Sequence, residues 1–163
     1  EDGIPTSAAD ALRSVWKYSG HEDIDSLLQR GVSYLEARSF QSALDTFTSV
    51  IESAPGFAEG WHKRAAVFRM MKDFDRSIED SKQVLKLKPR HFSCIYFMGI
   101  CLIEQGNIDQ GLKQLKVARQ VYPGMGNING TIAYVENQLY RQSQLDTTIE
   151  AVKERQGMTV KSS

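Results

Sequence analysis

The chain has 163 residues, 41% of them hydrophobic and 25% charged, and its twenty acidic and twenty basic side chains cancel. That length suits one domain with a sizeable core, and the composition excludes disordered and fibrous classes. No apolar run approaches the ~18 residues of a membrane-spanning helix, and zero net charge argues against a nucleic-acid-binding chain.

The amino end, Glu1-Asp2-Gly3, has neither the basic region nor the apolar stretch of a leader, and its start without methionine implies a processed or excised chain. Residues 6–18 carry Ala8, Leu12, Val15 and Trp16 at helical spacing between Ser7 and Gly20. This predicts a short amphipathic helix, with 1–20 as an amino-terminal helix and linker. Asp23 or Asp25 is expected to cap the next helix. Seven helices then follow at about 24–37, 41–53, 58–71, 75–87, 92–105, 108–121 and 127–142, on connections as short as antiparallel helical hairpins require. After Pro123 the stripe Ile132, Tyr134, Val135 and Leu139 predicts a cap. Leu145, Ile149 and Val152 fit either a degenerate fourth hairpin or one longer helix, because no turn residue interrupts 140–145. From Gly157 the chain is expected to fray.

A strict period runs through the middle of the chain. Pro55, Pro89 and Pro123 stand 34 residues apart, as do Gly31, Ala65 and Gly99; Tyr34, Phe68 and Leu102; and Leu44, Ile78 and Leu112. Ala43, Ser77 and Gly111 share the step. Gly31/Ala43, Ala65/Ser77 and Gly99/Gly111 pair a small residue on a first helix with one on a second, which lets two backbones approach closely. Each proline ends a second helix, because its ring clashes with the preceding turn and it lacks an N–H. Such a period marks stacked helical hairpins that present a surface.

The residues resemble the tetratricopeptide repeat, W-x2-L-G-x2-Y, A-x3-F, P. Repeat one reads Leu27-x2-Arg30-Gly31-x2-Tyr34, Ala43-x3-Phe47, Pro55; repeat two reads Trp61-x2-Arg64-Ala65-x2-Phe68, Ser77-x3-Ser81, Pro89; repeat three reads Ile95-x2-Met98-Gly99-x2-Leu102, Gly111-x3-Leu115, Pro123. Arg30 and Arg64 stand where leucine is usual, and Ser81 where a large apolar residue is. The resemblance implies an all-α, right-handed α-α superhelix, a solenoid with repeats at 24–57, 58–91 and 92–125, a cap at 126–156 and a flexible tail at 157–163. Ala58 to Ala65 and Lys88 to Phe92 are also similar to repeat proteins of bacteria and plant organelles. That likeness implies an organelle interior, chloroplast first, or the cytoplasm.

The resemblance further implies that the first helix of each hairpin lines a concave partner-binding groove. In this register the groove residues are Leu28, Gln29, Val32 and Leu35; His62, Lys63, Arg69 and Met70; and Tyr96, Phe97, Ile100 and Ile103, with Asp25, Glu59, Ala66 and Ser93 beside them. The floor is apolar at both ends and polar in the middle. It fits a helical or extended apolar segment of a protein partner. The five positions of the family's Hsp70/Hsp90 carboxylate clamp hold Leu28, Val32, Lys63, Ser93 and Phe97, which argues against that clamp. The amino-terminal helix, through Leu12, Val15 and Trp16, or the carboxyl tail, is an alternative occupant, and self-association is another.

Charge is uneven along the repeats: residues 21–60 hold seven acids and two bases, and 61–91 nine bases and four acids. The basic stretch reads either as a solvated face or as a steering patch for RNA or an acidic partner, built from Lys63, Arg64, Arg69, Lys86, Lys88, Arg90 and His91. His91 and Arg90 are candidates to pair with Glu59. Cys94 and Cys101, seven apart on one helix, lie about 10 Å apart and so do not pair; buried reduced thiols are expected. His21, His62 and His91 lack metal-ligand spacing, and no phosphate loop or catalytic set appears. A noncatalytic binding protein with neither metal nor cofactor is the expectation.

Overall fold

The computed structural model describes residue 11 and residues 15–156. Expectations that fall on Ala8, on Leu12 and on the tail from Gly157 lie outside the described residues. Seven helices follow residue 20: α1 Glu22–Glu36, α2 Phe40–Ser53, α3 Ala58–Met70, α4 Phe74–Leu87, α5 Phe92–Glu104, α6 Ile108–Val121 and α7 Ile128–Arg155. There is no strand among the described residues. The chain divides into two compact units, Glu1–Gly124 and Met125–Ser163. In the first, α1 pairs with α2, α3 with α4 and α5 with α6, and successive pairs meet through α2 on α3 and α4 on α5. This is the all-α arrangement of consecutive hairpins that the period implies.

The same 34-residue step governs the turns. Arg38, Lys72 and Gly106 end α1, α3 and α5 with φ of 56°, 62° and 85°. Past each of them, Ser39, Asp73 and Asn107 donate their N–H groups at 2.9 Å to the carbonyls of Tyr34, Phe68 and Leu102. A left-handed residue closed by such a bond is the common way to stop a helix and reverse the chain. At the other end of each hairpin, Ala54, Lys88 and Tyr122 are extended, with φ near −140°. The proline that follows disfavours the helical region for the residue before it, so each second helix stops two residues ahead of its proline.

The start of α1 departs from expectation. Neither Asp23 nor Asp25 caps it; His21 holds the capping position without a side-chain bond. Asp25 Oδ1 instead accepts the N–H of Ser19 at 2.7 Å, a contact that lies beyond the helix and that helical spacing alone does not reveal.

Close approach is visible at the small residues. A Cβ on Gly111 would lie 2.6 Å from the Gly99 carbonyl oxygen and 2.5 Å from Ile103 Cγ1, so α5 and α6 touch backbone to backbone there. In repeat two the Ser77 hydroxyl donates to the Ala65 carbonyl at 2.9 Å. In repeat one Gly31 faces the fully buried Phe47 ring, where a Cβ would lie 2.5 Å from the edge. Leu28, Leu44, Phe47, Val50, Val67 and Phe68 form the core around it.

Arg64, in the usual leucine position, turns into the interior. Its Nε and Nη2 donate to the two oxygens of buried Asp80 at 2.8 and 2.9 Å, and Nη1 donates to Thr48 Oγ1 at 3.1 Å. The guanidinium also lies 5.1 Å from the Trp61 ring centre, and the Trp61 indole N–H donates to the Pro55 carbonyl at 3.0 Å. Both cysteines are free and buried, as expected. Burial pushes the Cys94 thiol up to about 12 and raises that of Cys101. Thiols held protonated in this way are unreactive.

In the second unit α7 runs unbroken for 28 residues, so the longer helix, not the fourth hairpin, is what forms. Leu145, Ile149 and Val152 lie along one stripe of its second half and are exposed.

Four variants test these constraints through urea unfolding. Gly111→Ala lowers stability by about 1–3 kcal/mol, because the added methyl meets a carbonyl, whereas Lys72→Gly, relieved of a left-handed side chain, raises it by about 0.5–1 kcal/mol. Arg64→Leu, which restores the family residue, strands Asp80 and lowers stability by about 3 kcal/mol; Arg64→Leu/Asp80→Leu recovers most of that.

Candidate functional site

The first helices of the three hairpins bring side chains to one place. Leu28, Gln29 and Val32 of α1, Glu59, His62 and Lys63 of α3, and His91 and Ser93 at the start of α5 line a cavity of about 320 Å3, with Trp16 and Lys17 at its side. Of the twelve groove candidates the cavity therefore gathers Leu28, Gln29, Val32, His62 and Lys63. Leu28 is 1% exposed and serves the core as well. A ring cluster lies alongside: Phe97 has Tyr96 edge-on at 5.2 Å, His62 at 6.5 Å and the Arg69 guanidinium 4.6 Å from its centre. Leu35 and Ile100 are half-buried, and Met70 is exposed. Ile103 reaches toward Gly111 of α6, inside its own hairpin, because the glycine leaves room there.

Glu59 is the electrostatic centre. Its carboxylate lies 3.1 Å from Lys63 Nζ and 3.7 Å from His91 Nε2. Burial opposes its ionisation, yet His91, His62 and Lys63 together outweigh burial and hold it down to about 2. His62 moves the other way in charge: burial, partly offset by Glu59 and reinforced by His91, Lys63 and Arg69, pushes the imidazole down to about 4, so it is neutral at pH 7. The expected Arg90 pairing does not form. Arg90 is exposed in the turn, and of the two only His91 approaches Glu59.

His91 is 3% exposed and caps α5, its Nδ1 accepting the Cys94 N–H at 3.2 Å. An Nδ1 that accepts leaves the proton on Nε2. At 3.7 Å the Glu59 oxygen is too far for a hydrogen bond, and Nε2 has no other partner. Trp16 stacks on this ring at 4.4 Å and 18°, and the His62 ring lies 4.5 Å away, tilted by 51°. Of the three residues expected to fold back, Trp16 thus reaches the groove and Val15 is 70% exposed.

Four of the seven residues of the basic stretch in repeat two are engaged or buried. Arg64 is bound to Asp80, Lys63 to Glu59, Arg69 covers Phe97 and His91 is buried, which leaves Lys88 and Arg90 exposed in a turn and Lys86 beside Gln83. Counting charges along the sequence missed this because pairing depends on which helix faces which. The one signal was an arginine in a leucine position, which requires a buried acid.

The tetratricopeptide repeat family model matches residues 25–56. A TPR repeat-containing protein of Rhizobium etli is 31% identical over 118 residues, covering 72% of this chain and 58% of the relative, so the chain spans little more than half of that protein's length. Among solved structures, the first TPR of Spaghetti (RPAP3), bound to the HSP90 peptide SRMEEVD, aligns with a TM-score of 0.69 at 14% identity over 72% of this chain and 95% of that one. The Sgt2 TPR domain from Aspergillus fumigatus gives 0.71 at 13% identity over 76% and 83%. At such identities the likeness to these structures is one of fold.

The two lowered pKa values make stability fall with acid. The unfolded chain binds a proton at His62 that the folded chain refuses between pH 6.5 and about 4, and at Glu59 between 4.5 and about 2. Each group contributes a slope of up to about 1.4 kcal/mol per pH unit within its window. Urea midpoints measured from pH 7 to 4.5 therefore decline, and His62→Gln flattens that decline while leaving the drop below 4.5.

Proposed function

Because the chain is a tetratricopeptide-repeat protein, we propose that it is a noncatalytic adaptor or scaffold that holds a helical or extended apolar segment of a protein partner along α1, α3 and α5. The carrying observation is the make-up of that face. Val32 and His62 are half-buried apolar and ring surface lining a cavity of about 320 Å3, the half-buried Phe97 ring lies 6.5 Å from His62, and the cavity's Lys63 and Glu59 are engaged with each other. Apolar anchors placed there gain about 25 cal/mol per Å2 removed from water, and the preformed repeats lose little entropy on binding.

A terminal carboxylate suits the same face poorly. Leu28, Val32 and Phe97 offer it no donor, Ser93 offers one hydroxyl, and Lys63 is held 3.1 Å from Glu59, whose negative charge repels a second carboxylate. Desolvating an anion there lacks compensation. The neighbour that carries an HSP90 peptide thus lends its fold to this reading and not its ligand.

Peptide-display selection on the immobilised chain tests both halves. The expected outcome is a consensus of apolar and aromatic residues at i, i+3 or i+4 and i+7, with binding lowered at least tenfold by Phe97→Asp. A consensus ending in acidic residues and a free carboxylate, with binding lost on Lys63→Ala, would overturn the proposal.

A further inference from the structure

The residue that stacks on His91 comes from outside the repeats. Trp16 lies 4.4 Å from the imidazole and 5.9 Å from the Phe92 ring, while its neighbours Val15 and Tyr18 are 70% and 49% exposed. Space remains on two sides of the indole. One side is the groove cavity of about 320 Å3, and the other is a cavity of about 330 Å3 between the amino-terminal segment, the Ala54–Ala58 turn and Lys88. A ring with unfilled volume on two flanks forgoes contacts that a close-packed core ring makes, so its hold is weak. The imidazole beneath it is 3% exposed, lines the groove cavity and carries an Nε2 without a hydrogen-bond partner.

The linker is built so that the ring can leave without disturbing α1. Gly20 turns the chain at φ +85°, with nothing within 4 Å of where a side chain would stand. Just before it, Ser19 is anchored to the helix by its N–H bond to Asp25 and by a hydroxyl bond to the His21 carbonyl. Val15, Lys17 and Tyr18, just ahead of Ser19, are exposed.

We propose that the face of His91 is an aromatic-anchor subsite of the groove, filled in the free chain by Trp16, and that a partner segment takes this place with an indole or similar ring of its own. This rests on the interaction-module reading and adds the chemistry of one anchor. Trp16 is then both a sample of the ligand and its competitor. A short tether gives an effective concentration of about 1 mM, so a ring that binds in trans at about 0.1 mM is held back roughly tenfold by the tethered one.

The probe is a fluorescein-labelled peptide of residues 11–20, titrated into the full chain. It binds Trp16→Ala saturably and at least about tenfold more tightly than wild type, Trp16→Phe excludes it as wild type does, and the peptide with alanine in place of its tryptophan binds neither. Equal binding to wild type and Trp16→Ala, or no binding to a Trp16→Ala chain of unchanged helical circular dichroism, overturns the proposal. Should Trp16→Ala unfold, a Trp61→Phe chain reports on Trp16 alone: adding the peptide with phenylalanine for tryptophan raises acrylamide quenching, and no change overturns it. A wild-type chain that doubles in mass by light scattering while Trp16→Phe and wild type behave alike and Trp16→Ala stays monomeric would put the ring in a neighbouring copy and sink the tethered arrangement. Successful display selection with failure of this peptide removes the subsite alone.

Discussion

The closeness of paired backbones is the constraint from which the rest of the first unit follows. Where α5 and α6 cross, Gly99 and Gly111 leave no room for a side chain between them, and where α3 and α4 cross a serine hydroxyl fills the gap by bonding to the Ala65 carbonyl. Helices that touch at such points have little freedom to rotate, so the crossing fixes which residues of each first helix face outward. The turns repeat the constraint. Arg38 and Lys72 accept a left-handed conformation that side chains resist, because the bonds from Ser39 and Asp73 back to Tyr34 and Phe68 demand it.

With orientation fixed, one repeat position takes three different tasks. Asp25, Glu59 and Ser93 are 34 residues apart and stand at the start of α1, α3 and α5. Asp25 turns back to hold Ser19, Glu59 reaches forward to Lys63 and His91, and Ser93 lines the cavity. The shared backbone supplies the position, and the side chain's reach and charge decide its use. Glu59 has the largest effect because it is buried: an anion with little water draws the neighbouring donors around it and sets the polar middle of an otherwise apolar face.

What could be read from the sequence follows the same division. Helix ends, hairpin pairing and the buried thiols were legible, because the prolines, small residues and aromatic positions repeat and each repeat means the same backbone event. The site was legible only as a register. Ile103 fits the groove by spacing and yet leans into its hairpin, since Gly111 opposite leaves a hollow that no periodicity announces. Arg64 counted as surface charge while its partner, Asp80, lay on the next helix. The uninterrupted α7 was one of two readings because the absence of a turn residue permits a helix without requiring it.

The groove chemistry is a property of the stack and not of any repeat within it. Glu59 belongs to repeat two, the imidazole it faces caps the first helix of repeat three, and the ring over that imidazole comes from ahead of repeat one. A single hairpin folds its own pair of helices but has no way to assemble these three. Burying His91 between repeats also removes it from water, which is why its one unmet hydrogen bond matters: exposed, that Nε2 would be satisfied by solvent, whereas in the joint it is a standing preference for an acceptor beside a flat ring. On the proposed reading, the choice of partner is decided at the joints, where residues outside the repeating core are free to differ from one repeat to the next.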